Sequence, residues 1–223
     1  MTRSWRSLAT AICLAALIAG CSMPKRPTVP PPASGPDTVD GLASAIKSVA
    51  ARSDQAPDGE SRARFAEQAM SYADRCMAMA AQDPGCLYGR ALALGLQARA
   101  HPTSANASLK AMLDALSKVD ASDPNYDQAG PARVRALVLL RAPGWPLGPG
   151  DADAALASAR RAVELHPEYP PNQLALGEAL AKTGDATGSR AAYERARDEA
   201  DASPVNEDRD GWMREANQAL QRK

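Results

Sequence analysis

Residues 170–196 read PPNQLALGEALAKTGDATGSRAAYERA, two alanine-rich stretches divided by Lys182-Thr183-Gly184-Asp185. Ala155, Ala159 and Ala162, just before this block, recur 34 residues later as Ser189, Tyr193 and Ala196. Leu176-Gly177, Leu180 and Gly184 supply the helix and turn between the two sets. Small residues at helical spacing let two backbones approach closely, and the larger residues fill the space that is left. The block therefore predicts two antiparallel helices, repeated from the pair before.

The same reading extends to the rest of the chain. β-Branched and aromatic residues are few and alanine is abundant, which favours helix throughout and predicts an all-α fold. Val39, Leu42, Ile46 and Val49 form a first apolar stripe. Helical stretches follow at about 59–82, 86–99, 105–119, 127–141, 151–166, 171–183, 186–201 and 205–222, separated by Pro, Gly, Asp and Asn. Helix ends recur as AAQDP, DASDP, VELHP and DASP at Pro84, Pro124, Pro167 and Pro204, spaced by 40, 43 and 37 residues. A period in this range means stacked supersecondary units. Trp212, Ala216 and Leu220 share one face of the last stretch, as a solenoid cap requires.

Leu176, Gly177, Gly184, Tyr193 and Ala196, with Pro167 ending the preceding repeat, resemble the tetratricopeptide-repeat (TPR) pattern. The resemblance is strongest over 151–200 and implies an α-solenoid of about four helix pairs plus a C-terminal capping helix. A narrower likeness joins residues 108–156 to HPEYPPNQLALGEAL, which resemble the TatT family of TPR lipoproteins, although Arg135 stands where a repeat leucine is expected. That family implies a periplasmic partner of a solute-binding protein in tripartite, ATP-independent (TRAP) transport. The TPR register implies a partner groove on the first helix of each pair, lined by Leu174, Glu178, Ala181 and Lys182, and one repeat earlier by Arg133, Leu137, Leu140 and Arg141. An arginine pair flanking leucines suits a carboxylate-bearing peptide or an amphipathic ligand, and a solvated helix face is the alternative.

Residues 142–151, APGWPLGPGD, lengthen the turn inside one repeat by about seven residues. They lack the lysine and hydroxyl of a phosphate-binding loop and follow no strand, so a structural turn is the simpler reading. Pro143 and Pro146 stop the first helix and Asp151 caps the next, while Trp145 is expected to fold back on the helix pair and is the ligand-loop candidate.

The N-terminus carries Arg3 and Arg6, an apolar run from Leu8 to Ala19, and Ile18-Ala19-Gly20-Cys21. The run is too short to span a bilayer and reads as a secretory signal over 1–20. The last four residues resemble a lipobox, which implies lipidation of Cys21, and Ser22 implies an outer-membrane destination facing the periplasm. Six prolines in 22–36 make 21–37 a tether, leaving 38–223 as the helical domain. Without residues 1–20 the chain holds 24 basic against 26 acidic side chains, which argues against nucleic acid as partner. Cys76 and Cys86 remain in an oxidising compartment. If the chain turns at Asp83-Pro84-Gly85, Cys76 faces a residue near 92, so a disulfide and two buried thiols both stay open.

Nothing points to an enzyme. His101 and His166 each precede a proline at a helix end, and no zinc motif or G-x-S-x-G elbow occurs. Asp151/Asp153 and Asp208/Asp210 flank helix starts, where the dipole favours negative charge. No metal or cofactor is expected. The function expected is a scaffold for a protein partner; a carrier of a small hydrophobic or acidic ligand is the rival.

Overall fold

A computed structural model describes residues 36–205 and 207–222, all within one unit, Ser34–Lys223. The signal peptide, Cys21 and the tether up to residue 35 lie outside the described residues.

Nine helices are present among them: α1 (Val39–Asp54), α2 (Gly59–Met79), α3 (Pro84–Ala100), α4 (Ala105–Ser122), α5 (Tyr126–Arg141), α6 (Ala152–Leu165), α7 (Pro170–Lys182), α8 (Ala186–Ala202) and α9 (Glu207–Gln221). Their starts follow from the sequence. Thr38, Asp58, Asp83, Asp151 and Asp185 each accept a hydrogen bond from a backbone N–H in the first turn, and Pro84 and Pro170 occupy first helical positions where no donor is needed. Gly184, at φ +90°, makes the tight turn between α7 and α8.

Consecutive helices pack in antiparallel pairs, α1/α2, α3/α4, α5/α6 and α7/α8, and α9 lies on α8 and α7. The odd-numbered helices share one face: α1 packs on α3 and α5 on α7, whereas α5 meets α3 only sparsely. Alanines fill the tight contacts. Ala69 and Ala73 face Ile46 and Val49 in the first layer, and Ala136, Ala155, Ala159 and Ala179 meet in the third. The cap seats Ala216 and Trp212 against Leu174 and Ala196, with the Trp212 ring edge-on to Tyr169.

Two places depart from the sequence reading. The turn between α2 and α3 is Ala80–Asp83, because Asp83 caps and Pro84 begins α3. The hairpin is therefore centred near 81, Cys76 lies opposite Cys86 with Cα atoms 5.3 Å apart, and the two form a disulfide. The start of α5 is not helical: Asp127, Gln128 and Ala129 all adopt the left-handed conformation, with φ of 52°, 56° and 60°. Three such non-glycine residues in succession are costly, each on the order of 1 kcal/mol. Right-handed helix resumes at Gly130-Pro131, with Pro131 buried near its first turn.

Candidate functional site

The sparse contact between α3 and α5 leaves an apolar cleft of about 550 Å³ on the face of the odd-numbered helices. α3 supplies Leu92 and Leu96 to one wall, α5 supplies Val134, Leu137 and Val138 to the other, and Leu109 and Met112 of α4 form the floor. α5 lies against α3 at its start, where a Cβ on Gly130 would be 2.6 Å from Tyr88 Oη, and the cleft opens further along, where Gly95 leaves room beside Met112, whose sulfur sits 3.1 Å from where a Cβ would be.

The rim is charged and internally paired. Arg99 donates to Asp54 at 2.7 Å and to Ser53 Oγ at 2.8 Å. Arg141 forms a two-pronged pair with Glu178, at 3.1 and 2.7 Å, and these bonds hold its guanidinium above the ordinary arginine range. Both arginines sit at the C-terminal ends of their helices, where the dipole favours cations.

Toward the N-terminal ends of the same helices the cleft gives way to a polar knot around Asp127. Its carboxylate accepts from Lys47 Nζ at 2.6 Å, Tyr88 Oη at 3.0 Å and Arg133 Nη2 at 2.9 Å. Lys47 lies over the rings of Tyr126 and Tyr88, 5.2 and 5.9 Å from their centroids, and Arg133 stacks 5.0 Å from Tyr169. Arg133 also donates to the carbonyls of Asp127 and Gln128 and to Asn172 Oδ1, so the left-handed turn has its carbonyls satisfied from inside. Burial raises the Tyr88 phenol far above its ordinary value; the Arg133 charge opposes this and Asp127 adds to it.

No family model matches the chain, and no curated protein matches it. Among solved structures it is similar to a thermophilic TPR protein of Thermus thermophilus, at 21% identity, with a TM-score of 0.54, over 82% of this chain and 90% of that one. The fold is of the TPR type. In TPR terms α1, α3, α5 and α7 are the first helices of four pairs, and the cleft lies on the face they share.

The structure separates the sequence-predicted groove residues. Leu137 and Arg141 line the cleft, and Glu178 reaches it through Arg141. Lys182 and Ala181 are exposed at the end of α7, away from the cleft lining. Three expectations are corrected. Arg133 is only 7% exposed, drawn inward because the left-handed carbonyls and Asp127 need its several donors. Leu140 packs among Ala136, Ala155 and Ala159, and Leu174 under the capping helix, because both point between layers rather than across the shared face.

Trp145 is a further correction: it is 90% exposed and does not fold back on the helices. The loop closes on its own backbone instead. Gly150 N donates to Pro143 O, Gly148 N and Leu147 N donate to Gly144 O, and Asp151 N reaches Leu139 O. A Cβ on Gly148 would lie 2.6 Å from Pro143 O, so the glycines permit backbone to pack where the indole was expected. Asp151 caps α6 as predicted. Among the described residues no group of His, Cys, Asp and Glu could hold a metal ion.

Sequence reasoning missed Lys47, Tyr88 and Asp127. The i, i+4, i+7 and i+11 spacing of Tyr88, Leu92, Gly95 and Arg99 along α3 was available as a signal. The backbone reversal that brings Asp127 to Lys47 was not.

Proposed function

We propose that the chain is a non-catalytic scaffold that binds a segment of a protein partner in the cleft between α3 and α5. The apolar cleft carries this reading: Leu92, Leu109, Val134, Leu137 and Val138, all partly exposed, meet over the buried Leu96 and Met112, rimmed by charges that are already paired. An amphipathic segment would add the buried apolar area, and the paired rim would set its register. The N-terminal apolar run, Cys21 and the Cys76–Cys86 disulfide support a lipid-anchored protein of an oxidising envelope compartment, with the outer membrane and periplasm as the specific site. The resemblance of residues 108–156 to TatT lipoproteins makes a TRAP-type solute-binding protein the specific partner.

The experiment is crosslinking of the full chain in cells, followed by capture and mass spectrometry, with Leu96→Asp and Leu137→Asp chains alongside. A periplasmic solute-binding protein captured by the native chain and lost from both folded variants is the expected result. Undiminished capture by the variants would overturn the cleft as the site.

A carrier of a small ligand is the second reading, favoured by a cleft volume of about 550 Å³, within the range of small-molecule sites. Arg99 and Arg141 are engaged by Asp54 and Glu178, so a hydrophobic ligand fits better than an acidic one. Native mass spectrometry of the purified chain distinguishes this reading by a bound ligand mass that Leu137→Asp abolishes.

A further inference from the structure

Lys47 occupies an unusual environment for a lysine that is still 41% exposed. Its ammonium meets the Asp127 carboxylate at 2.6 Å and faces two tyrosine rings at 5.2 and 5.9 Å, the composition of a cage for a cationic head group. The rings themselves are tilted at 58° to each other with centroids 5.2 Å apart, so they form two walls rather than one surface. Asp127 reaches this position only through the left-handed turn at 127–129, a conformation that the surroundings must impose.

The wider surroundings are also negative. Asp40, Asp83 and Asp123 lie close enough to Tyr126 to act on its phenol together with Asp127, which itself pairs with Lys47 and Arg133. Arg133 is buried and bound to four other groups, and it cannot turn away. Lys47, on a flexible stem open to solvent, can.

The position is also continuous with the cleft. Lys47 shares a face of α1 with Ala50 and Asp54 at the edge of the cleft, and Tyr88 shares a face of α3 with the wall residues Leu92 and Leu96, so both helices lead from the cleft to the cage within one or two turns.

We propose that Tyr88, Tyr126 and Asp127 form an ammonium cage that Lys47 fills in the free chain and that a lysine side chain of the bound protein segment takes over when Lys47 turns out to solvent. This rests on the cleft being the partner site. The incoming ammonium replaces a resident one, so Lys47 acts as an internal competitor: it selects segments whose apolar stretch has a lysine one or two turns away, and weakens the rest.

The test titrates the full chain, as wild type, Lys47→Ala and Lys47→Ala/Tyr126→Ala, with n-butylammonium chloride, which copies the lysine stem and head. Tyrosine ring resonances are followed by NMR, with equal sodium chloride as the control for ionic strength. The expected result is one saturable set of Tyr88 and Tyr126 shifts in wild type and Lys47→Ala, with half-saturation at least tenfold lower in Lys47→Ala and at least tenfold higher again once Tyr126 is removed. Circular dichroism verifies each fold, and Lys47→Gln replaces Lys47→Ala if the latter does not fold. A wild type with no saturable shift would overturn the proposal, because Lys47 would then be a fixed internal fastening. Saturable binding in a chain whose Leu96→Asp and Leu137→Asp variants still capture the partner would keep the cage, sink the cleft reading, and assign the site to a free amine rather than a partner's lysine.

Discussion

Gly177 shows how one missing Cβ can set a repeat. A methyl group there would lie 2.7 to 2.8 Å from three ring atoms of the partly buried Tyr193, and a rigid aromatic ring yields less readily than a flexible chain end. Gly177→Ala is expected to cost about 2 kcal/mol in urea unfolding, from overpacking. Tyr193→Leu in the same chain should recover part of the loss, whereas a loss that Tyr193→Leu leaves unchanged would assign it to the α7 backbone. Tyr88 gives a second residue-scale prediction. Burial raises its phenol above the unfolded value of about 10, so the folded chain holds the proton more tightly than the unfolded one. That contribution is complete below pH 10 and is lost as the pH rises above it. Stability measured from pH 9 to 11.5 should therefore fall, and fall less steeply in Tyr88→Phe. The slope should not vanish, because burial also raises Tyr126, Tyr169 and Tyr193.

Among elements, the α2–α3 hairpin and the start of α5 show where sequence reading stopped. Helix positions came from apolar spacing and from Asp and Pro at the starts, and both were visible in the sequence. The hairpin's centre depended on whether Asp83-Pro84 ended a turn or began a helix; only the cap geometry decides this, and it moved Cys86 opposite Cys76. The left-handed turn was not legible in Asp127-Gln128-Ala129 themselves, which contain no glycine; its conformation is held by Arg133, just beyond it on α5, and by Asn172 from α7. Burial of Arg133 follows from the same cause, so of the two arginines expected in the groove Arg141 lines the cleft beside Leu137 and Arg133 is drawn inside. The disulfide adds a testable term. Closing a loop with a sequence separation of 10 should contribute about 2.5 kcal/mol, so Cys76→Ala/Cys86→Ala is expected to lower the urea midpoint by that equivalent without changing the far-ultraviolet spectrum. Both sulfurs are fully buried, so reductant should act slowly on the native chain and readily in urea.

At the scale of the whole molecule, layers touch mainly their neighbours, so stability should be distributed along the chain rather than held in one centre. The cap tests this. Ala216 is fully buried and Trp212 packs beside it on Leu174, Ala196 and Tyr169, so a chain ending at residue 204 would open that surface to water. Loss of the indole and its aliphatic neighbours corresponds to about 3 kcal/mol of apolar burial. If the solenoid is coupled only between adjacent layers, hydrogen exchange in the truncated chain should quicken most in α7 and α8, less in α5 and α6, and hardly at all in α1 to α3, which the disulfide and the Leu42, Ile46 and Val49 core hold independently. Uniform quickening in all helices would instead mean that the chain unfolds as one unit, with the Asp127 knot coupling its two halves: it ties α1 and α3 to α5, and through Arg133 and Asn172 to α7. Lys47→Ala would then decide the matter, because cutting the tie to α1 in the truncated chain should restore the gradient only if that knot carries the coupling.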